Sequence, residues 1–259
     1  MTNRPSWLAL TREISPAIEH CELTHLARSP IDVTRARAEL EAYEGTLRDL
    51  GCEVRRLPAA PDMPDSVFVE DAAVVLDELA VITRPGAASR RAETAAVADA
   101  IRPYRPVAAI LAPGTLDGGD VLRVGRTLFV GVGSRTNESG VAQFRRMAAS
   151  QGYSVEPVAF QGCLHLKTGA TLVADDLLLV NPAWVDPAHL GSLRAIEVDP
   201  NEPFAANVLR IGDVVIHPAE HARTRRRLEA EGISVRTVPM AELAKAEGGV
   251  TCISVMIAR

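Results

Sequence analysis

The chain has 259 residues and a formal net charge of -5, from 28 lysines and arginines against 33 aspartates and glutamates. Hydrophobic residues make up 47% of the chain and charged residues 24%, which excludes a largely disordered protein. The acidic balance argues against a nucleic-acid partner, and no apolar run reaches the roughly 20 residues that a membrane span needs.

Four cysteines lie far apart in the chain and form no CxxC pair: Cys21, Cys52, Cys163 and Cys252. Their spacing argues against a disulfide framework or a zinc ribbon and is typical of a protein in a reducing compartment. The group His20, Cys21 and His25 matches no standard zinc spacing either. The N-terminus has no basic region before a long apolar stretch, so it does not resemble a signal peptide, and we expect a cytoplasmic protein.

The first structural unit begins with an apolar strand over 7–12. A helix is predicted over 32–51, because apolar residues recur there at three- and four-residue spacing and would form one buried face. Asp32 is a suitable N-cap for this helix and Gly51 a suitable terminator. A short strand over 52–57 follows.

The same kind of unit returns four times, as an apolar hairpin, an amphipathic helix and a short closing strand. The hairpins span 67–85, 117–133, 164–180 and 204–218. In the third of these units the helix, around 186–193, is weak. In the fourth, Pro218 suits the first turn of the helix and Gly232 its end.

Corresponding positions recur every roughly 40 to 50 residues, which is typical of closed repeat architectures. The apolar C-terminal segment 250–258 would pair with strand 7–12 and close the ring. The sequence therefore predicts one domain over residues 1–259, an α/β fold of five ββαβ units about a pseudo-fivefold axis. The alternative is an ordinary open α/β sheet.

Polar residues interrupt the apolar pattern where each unit's first strand begins. With Phe68, which lies at the same phase, the residues there are in chain order Phe68, Glu70, Asp71, Asp117, Asp120, His165, Asn207 and Cys252. Because the first strands should begin near the common axis, we expect these side chains to converge in one central pocket. A carboxylate, an imidazole and a thiol would then meet from different units.

Each of these residues also has an ordinary structural interpretation. Cys252, beside two glycines, could be a small buried side chain in the last strand. His165 lies between two leucines that would face the opposite way, and it could be a hydrogen-bonded core histidine. Asp117 and Asp120 could be turn residues, since both adjoin glycines. The sequence leaves these interpretations open.

Glu70 and Asp71 are more informative, because adjacent acids within an apolar strand point to opposite faces and at least one must be buried. A buried carboxylate needs a cationic partner, which could be a substrate or a structural arginine. Arg90, Arg91 and Arg135 lie near helix starts, an unfavourable position against the helix dipole unless an anion is close. The alternative for these arginines is a solvated surface.

Six motifs together resemble the dimethylarginine dimethylaminohydrolase family, within the guanidine-modifying or amidinotransferase superfamily. They are PDSVFVEDAAVV, ITRPGAASRRAE, GTLDGGDVLRVG, GSRTNESG, LHLKTG and EGGVTCISV, and they occur in family order over nearly the whole chain. The resemblance implies a five-bladed α/β propeller, in agreement with the repeat. It also implies a hydrolase of methylated arginine that uses neither a metal nor an organic cofactor.

The resemblance further implies a covalent mechanism. Cys252 would attack the guanidinium carbon of an Nω-methylated arginine, and His165 would protonate the departing amine. His165 would then activate the water that hydrolyses the S-alkylthiouronium intermediate and releases citrulline. Asp117 matches the position that orients and charges the histidine. A cationic neighbour favours the thiolate form of a cysteine, which is consistent with this chemistry.

Substrate contacts also follow from the resemblance. Phe68, Glu70 and Asp71 match the residues around the guanidinium group, Arg90 and Arg135 those that bind the α-carboxylate, and Leu23, Asp65 and Ala246 those near the α-amino group. A planar guanidinium fork suits a carboxylate well. The segment from Ser15 to Pro30, called the lid below, would cover the pocket.

Other functions remain open at this point. An arginine deiminase usually has an extra helical domain and an EGGD motif, and this chain has neither. An amidinotransferase would use the same nucleophile but transfer the amidino group to an amine instead of water. A catalytically silent sensor of arginine-like ligands is an alternative of another class, against which the intact Cys252, His165 and Asp117 argue. The expected partner is a small guanidino amino acid, and both a monomer and a homodimer are open.

Overall fold

A computed structural model describes residues 6–259 and arranges them as strands and helices in alternation. In chain order the elements are β1 (Trp7–Arg12), α1 (Val33–Asp49), β2 (Glu53–Leu57), β3 (Ala73–Val75), β4 (Ala80–Ile82), α2 (Thr94–Ile101), β5 (Val107–Ala109), β6 (Val121–Val124), β7 (Thr127–Val132), α3 (Glu138–Ala149), β8 (Ser154–Ala159), α4 (Leu166–Gly169), β9 (Ala170–Ala174), β10 (Leu177–Val180), β11 (Arg194–Glu197), β12 (Leu209–Ile211), β13 (Val214–Pro218), α5 (Ala222–Ala230), β14 (Ser234–Val238) and β15 (Val255–Ala258). Short 3-10 helices lie between several of them.

The strands form five three-stranded sheets with one shared pattern. Their orders are β15-β1-β2, β3-β4-β5, β6-β7-β8, β9-β10-β11 and β12-β13-β14. In each sheet the first strand runs antiparallel to the second, and the second runs parallel to the third. A parallel pair needs a crossover connection, and a helix supplies it in each sheet. These are the predicted ββαβ units.

The ring is closed by strands from opposite ends of the chain. β15 pairs antiparallel with β1, with Trp7 opposite Ala258 and Leu10 opposite Val255. The first strand of every sheet contributes to the wall of one cavity of about 230 Å³, called the axial cavity below. The chain is therefore a five-bladed α/β propeller, as the sequence predicted, and not an open sheet.

Helix α1 illustrates why these segments fold as they do. The Asp32 carboxylate accepts hydrogen bonds from the backbone N–H groups of Thr34 and Arg35, which would otherwise have no partner in the first turn. Gly51 takes a left-handed conformation with φ +85° just after the helix ends. The middle of the apolar face is fully buried, and each large side chain there stabilises the fold by about 1.5–3 kcal/mol.

Two local expectations need correction. Pro218 is the last residue of β13, and α5 begins only at Ala222, where the Glu202 carboxylate accepts from the N–H groups of Arg223 and Thr224. Glu202, which is distant in the chain, caps the helix in place of a local residue. Pro218 therefore does not mark the start of the helix. The weak helix of the third unit is a 3-10 helix over Pro187–Leu190.

None of the helices among residues 6–259 is both long enough and apolar enough to traverse a lipid bilayer.

Candidate active site

The residues singled out by the sequence lie just before the innermost strands, not within them. Glu70 and Asp71 belong to a 3-10 helix over Val69–Ala72, and β3 begins only after it. Cys252 precedes β15 by three residues, in a turn. The prediction that these two acids lie in a strand and face opposite sides is therefore wrong. Asp71 is nevertheless buried, and Glu70 is nearly so. A turn before each strand lets successive polar residues aim at one point.

His165 also precedes a helix instead of alternating along a strand. It has extended backbone angles immediately before α4. Its neighbours do not share a face opposite to it: Leu164 lines the same pocket, while Leu166 is fully buried in the core.

Two glycines in the GTLDGGDV motif allow a very close approach of two units. A Cβ atom on Gly118 would lie 1.9 Å from the backbone oxygen of Glu70. A Cβ atom on Gly119 would lie 2.6 Å from His165 Nδ1 and 2.8 Å from Asp71 Oδ1. Neither position tolerates a side chain without displacement, so the glycines place the imidazole against the acidic turn.

His165 is buried among carboxylates. Its Nε2 atom lies 3.0 Å from Asp117 Oδ2, and its Nδ1 atom lies 3.9 Å from Asp71 Oδ1. Burial alone lowers the pKa of His165, but Asp71, Asp117 and Asp120 outweigh it and raise that pKa to about 9. The imidazole is therefore protonated at neutral pH and can donate a proton. His165 also lines a pocket together with the thiol of Cys252. This position favours a role in the site over that of a core histidine.

Asp117 is held from two sides. Its Oδ1 atom accepts from the backbone N–H of Gly86 at 2.8 Å, and its own N–H donates to Thr136 Oγ1. Thr136 Oγ1 in turn donates to Asp120 Oδ2 at 2.6 Å. Asp120 also accepts from the backbone N–H of Leu166, next to the histidine, and burial raises the pKa of Asp120 to about 6. Both aspartates are fully buried, so they are part of the site and not surface turn residues.

Cys252 is a buried free thiol. Its Sγ atom accepts a hydrogen bond from the backbone N–H of Gly249 at 3.3 Å. Burial raises the pKa of Cys252 to about 12, with further contributions from the negative charges of Glu70 and Asp71. Cys252 is therefore a neutral thiol at neutral pH, and a positive charge beside it would favour the thiolate.

Glu70 lies between the site and the axial cavity. Its carboxylate accepts from Lys167 Nζ at 2.5 Å and from Thr251 Oγ1 at 2.7 Å, and its backbone N–H donates to the oxygen of Cys252. Burial raises the pKa of Glu70, although Lys167 opposes that rise. The cationic partner of Glu70 is therefore a lysine of the chain itself.

Arg90 is the buried cation of the same region, not a solvated surface arginine. It donates from Nη1 to Asp71 Oδ2 at 2.7 Å and from Nη2 to Glu93 Oε2 at 2.9 Å. These anions raise the pKa of Arg90 even though burial lowers it. The positive charges of His165 and Arg90 together hold the pKa of Asp71 below its usual range against the opposite effect of burial.

Arg135 and Asp65 face the lid. Arg135 Nη2 donates to Thr24 Oγ1 at 3.2 Å, whereas its buried Nη1 has no hydrogen-bond partner among the described residues. The Asp65 carboxylate accepts from the backbone N–H of Glu22 at 3.1 and 3.2 Å. Burial raises the pKa of Asp65. A ligand carboxylate beside Arg135 would satisfy the unpaired donor.

The pocket itself brings together eight of the eleven predicted residues: Asp65, Phe68, Asp71, Arg90, Arg135, His165, Ala246 and Cys252. We call it the site pocket. Asp117 lies behind His165, and Glu70 lies on the axial side. Leu23 is partly buried in the lid and packs against the core, outside the lining of the pocket.

Four lining residues were not predicted: Glu22, Leu164, Glu247 and Gly248. Two of them, Glu247 and Gly248, belong to the EGGVTCISV motif, so their closeness to Cys252 in the chain was an available signal. Glu22 lies within the lid and had no distinguishing pattern.

Within residues 6–259, Asp71, Asp117 and His165 are the group of potential metal ligands whose donor atoms lie within 4.8 Å of one another. These donors are already engaged. Asp71 is bonded to Arg90 and to the N–H of Gly119, and Asp117 to His165. A cation here would have to displace those partners.

Comparison with known proteins bears directly on this geometry. The model of a family described as N,N dimethylarginine dimethylhydrolase, eukaryotic, matches residues 17–183. An N(G),N(G)-dimethylarginine dimethylaminohydrolase of Streptomyces coelicolor is 41% identical over 98% of this chain and 98% of its own. The chain belongs to the dimethylarginine dimethylaminohydrolase family. A relative of the same name from Pseudomonas aeruginosa is 35% identical over 89% of this chain and 91% of its own.

Solved structures of the family superpose over almost the whole propeller. A Pseudomonas aeruginosa enzyme with its cysteine changed to serine and complexed with citrulline matches 98% of this chain and 100% of that chain, with a TM-score of 0.93 and 32% identity. A histidine-to-glycine variant of a dimethylarginine dimethylaminohydrolase, solved as an adduct with S-methyl-L-thiocitrulline, has a TM-score of 0.91 at 32% identity and covers 96% of this chain and 99% of that chain.

Proposed function

We propose that the chain hydrolyses Nω-methylated L-arginine, asymmetric dimethylarginine and monomethylarginine, to citrulline and the corresponding methylamine. The observation that carries this proposal is the convergence of Cys252, the His165–Asp117 pair and a set of buried acids in one pocket. Family relatives with the same name, one of them complexed with citrulline and another in an adduct with S-methyl-L-thiocitrulline, support it.

The substrate is held at both ends. Glu70 and Asp71 bind the cationic guanidinium group, and Phe68 packs beside it. At the amino-acid end, Arg90 and Arg135 bind the α-carboxylate, while Asp65 and the backbone carbonyls near Leu23 and Ala246 receive the α-ammonium group. The unpaired Nη1 of Arg135 supports the carboxylate contact, because a buried donor gains most from an anionic acceptor.

The first chemical step forms a C–S bond. The bound guanidinium cation lowers the pKa of Cys252 from its raised value, since it offsets the negative charges of Glu70 and Asp71. The thiol proton passes to solvent as the cation binds, and the thiolate attacks the guanidinium carbon. Protonated His165 donates its proton to the leaving nitrogen, the C–N bond breaks and dimethylamine departs. An S-alkylthiouronium group remains on Cys252.

The second step reverses the role of His165. Having given up its proton, the imidazole removes one from a water molecule, which attacks the thiouronium carbon. The C–S bond breaks, the departing sulfur of Cys252 takes up the remaining hydroxyl proton, and the ureido group of citrulline forms. Asp117 keeps the imidazole oriented and stabilises its protonated form through both steps. His165 thus serves as the proton donor of the first step and the proton acceptor of the second.

We also propose that residues 1–259 form one catalytic unit, that it acts in the cytoplasm, and that it is a monomer or a homodimer. The antiparallel pairing of β15 with β1, which joins the two ends of the chain in one sheet, supports a single unit. The four free cysteines support a reducing compartment.

The test is turnover of three guanidino compounds by the purified protein and by Cys252→Ser. We expect citrulline from asymmetric dimethylarginine and no product from the variant. Deimination of arginine or agmatine instead would move the substrate to a sister enzyme. Tight binding of one compound without turnover of any would reject the hydrolase in favour of a sensor.

A further inference from the structure

The site pocket is narrow. Its volume is about 10 Å³, whereas a single water molecule needs on the order of 10–15 Å³. A methylated arginine cannot enter such a space. The lid, residues 15–30, must therefore move for the substrate to bind and for citrulline to leave.

One carboxylate oxygen holds the centre of the lid. Glu247 Oε1 accepts from three consecutive backbone N–H groups, at 3.0 Å from Thr24, 2.5 Å from His25 and 2.7 Å from Leu26. Charge-assisted hydrogen bonds are about twice as strong as neutral ones. Other bonds to the middle of the lid end on Asp65 and Arg135, which are proposed substrate contacts, and on Ser89, which donates to Glu22 Oε1. The two ends of the lid are also held, because Ser15 Oγ donates to the oxygen of Pro61 and Lys245 Nζ donates to the oxygen of Pro30.

Glu247 is unusual in two further respects. It is the residue other than glycine with a positive φ among the described residues, at +59°, a left-handed conformation that costs a glutamate about 1 kcal/mol or more. Its second oxygen, Oε2, is buried and has no hydrogen-bond partner in the part of the chain that the structure describes. Backbone strain and an unpaired buried oxygen both lower the stability of the fold. Their occurrence together at Glu247 indicates that its contact with the lid has a role other than stability.

The position of Glu247 in the chain joins the lid to the nucleophile. Ala246 on one side and Gly248 on the other line the site pocket, and Cys252 is five residues further on. A Cβ atom on Gly248 would lie 2.3 Å from the Phe68 ring, so this turn has little freedom to shift. The lid is thus tied to the rigid turn that carries the thiol.

We propose that Glu247 is a positioning residue that latches the lid over the bound substrate. Its three hydrogen bonds break to admit the methylated arginine, re-form to enclose it with Cys252, and break again to release citrulline. This inference rests on the proposed function, because it assigns the lid to that reaction. Glu247 does not touch the reacting atoms.

The decisive variant is Glu247→Gly. Glycine accepts the left-handed conformation without strain, so the turn keeps its shape while the carboxylate is lost. We expect the variant to fold, with a melting temperature only slightly below that of the wild type, because the relief of strain offsets part of the loss of three hydrogen bonds. Hydrogen–deuterium exchange at residues 24–26 should become at least about tenfold faster, and KM for asymmetric dimethylarginine should rise about tenfold. Glu247→Gln, which keeps an acceptor oxygen, should restore part of both effects.

The matched control is Glu202→Gln. The Glu202 carboxylate also accepts from consecutive backbone N–H groups, those of Arg223 and Thr224, but it lies outside the site pocket. The Glu202→Gln substitution should lower the melting temperature and leave both hydrogen–deuterium exchange in the lid and KM unchanged. If hydrogen–deuterium exchange at residues 24–26 is as slow in Glu247→Gly as in the wild type, the proposal that Glu247 latches the lid is wrong. Faster exchange with an unchanged KM would also contradict it. Absence of turnover by the wild type would reject the proposed function, while the exchange experiment would still test the latch.

Discussion

The imidazole of His165 shares a hydrogen bond of 3.0 Å with the fully buried carboxylate of Asp117, which comes from another blade of the propeller. The pair fixes Nε2 and leaves Nδ1 directed towards the acidic turn, 3.9 Å from Asp71 Oδ1. It also contributes to the raised pKa of the histidine. The proton needed by the leaving amine is therefore present before the substrate binds.

Replacing Asp117 with asparagine should weaken the hold of His165 on that proton. Loss of the negative charge lowers the pKa of His165 from about 9, although Asp71 and Asp120 still favour its charged form, so a smaller fraction of the histidine is protonated at a given pH. We expect kcat to fall by about 10²–10⁴-fold at neutral pH, with a smaller effect on KM. A pH profile of kcat and an NMR titration of His165 measure both effects. A wild-type profile in Asp117→Asn would show that the pair does not tune the histidine.

The charge on His165 also makes folding stability depend on pH. Because the folded-state pKa lies above the ordinary value of a histidine, the stabilisation is complete below that ordinary value and is lost as the pH rises through about 9. The melting temperature of the wild type should therefore fall over this interval. The melting temperature of Asp117→Asn should fall less over the same pH interval. An equal fall in both proteins would show that groups other than His165 cause the pH dependence.

Gly119→Ala should abolish activity without unfolding the protein. The new methyl group would meet His165 Nδ1 at 2.6 Å and Asp71 Oδ1 at 2.8 Å, both of which are side-chain atoms that can shift. A shift of about 1 Å in a catalytic group can cost about 100-fold in rate. Steady-state kinetics and thermal melting test this together. Gly125→Ala, at a glycine with open space around it but φ +57°, should cost stability and retain activity.

Glu70→Gln should change two properties in opposite directions. Removing the negative charge lowers the pKa of Cys252 below about 12, since Glu70 is one cause of that raised value and Lys167 remains nearby. The same change weakens guanidinium binding, so KM should rise by about tenfold or more. Thiolate absorbance, taken against Cys252→Ser as a blank, measures the first effect. A thiol pKa that stays at about 12 would contradict the electrostatic explanation.

Neighbouring blades are also joined by a repeated ion pair. Arg123 contacts Asp77 at 2.6 Å, and Arg210 contacts Asp175 at 2.6 Å, each arginine reaching the preceding blade from the same position of its strand. These groups are largely exposed, so a double-mutant cycle on Arg123 and Asp77 should give a coupling of about 0.2–1 kcal/mol that high salt removes. Citrulline production should be unchanged. A much larger coupling would mean that blade contacts depend on this pair.

The repeat could be predicted from the sequence because it depends on local patterns. Amphipathic spacing marks α1 and α3, and short apolar runs mark the strands, whatever their partners are. Pairing of the two termini followed from counting units. The convergence of Cys252 and His165 needed only the knowledge that they occupy equivalent positions in different units.

The rest of the site depends on contacts between distant segments. Gly118, from another unit, packs against the backbone of the 3-10 helix that holds Glu70 and Asp71, and nothing within the helix's own motif distinguishes it from a strand. The bond from the lid to Glu247 spans more than two hundred residues of chain. Single-sequence patterns carry no signal for such pairs, so the narrowness of the pocket became visible only in the fold.

The central claim is a covalent intermediate on Cys252. Wild-type protein mixed with asymmetric dimethylarginine and quenched in acid within one turnover should show, by intact mass spectrometry, an added mass equal to citrulline less one water. Peptide mapping should place the adduct on Cys252, and Cys252→Ser should give neither adduct nor citrulline. Citrulline formed by the serine variant, or turnover by the wild type with no adduct at any quench time, would contradict the account.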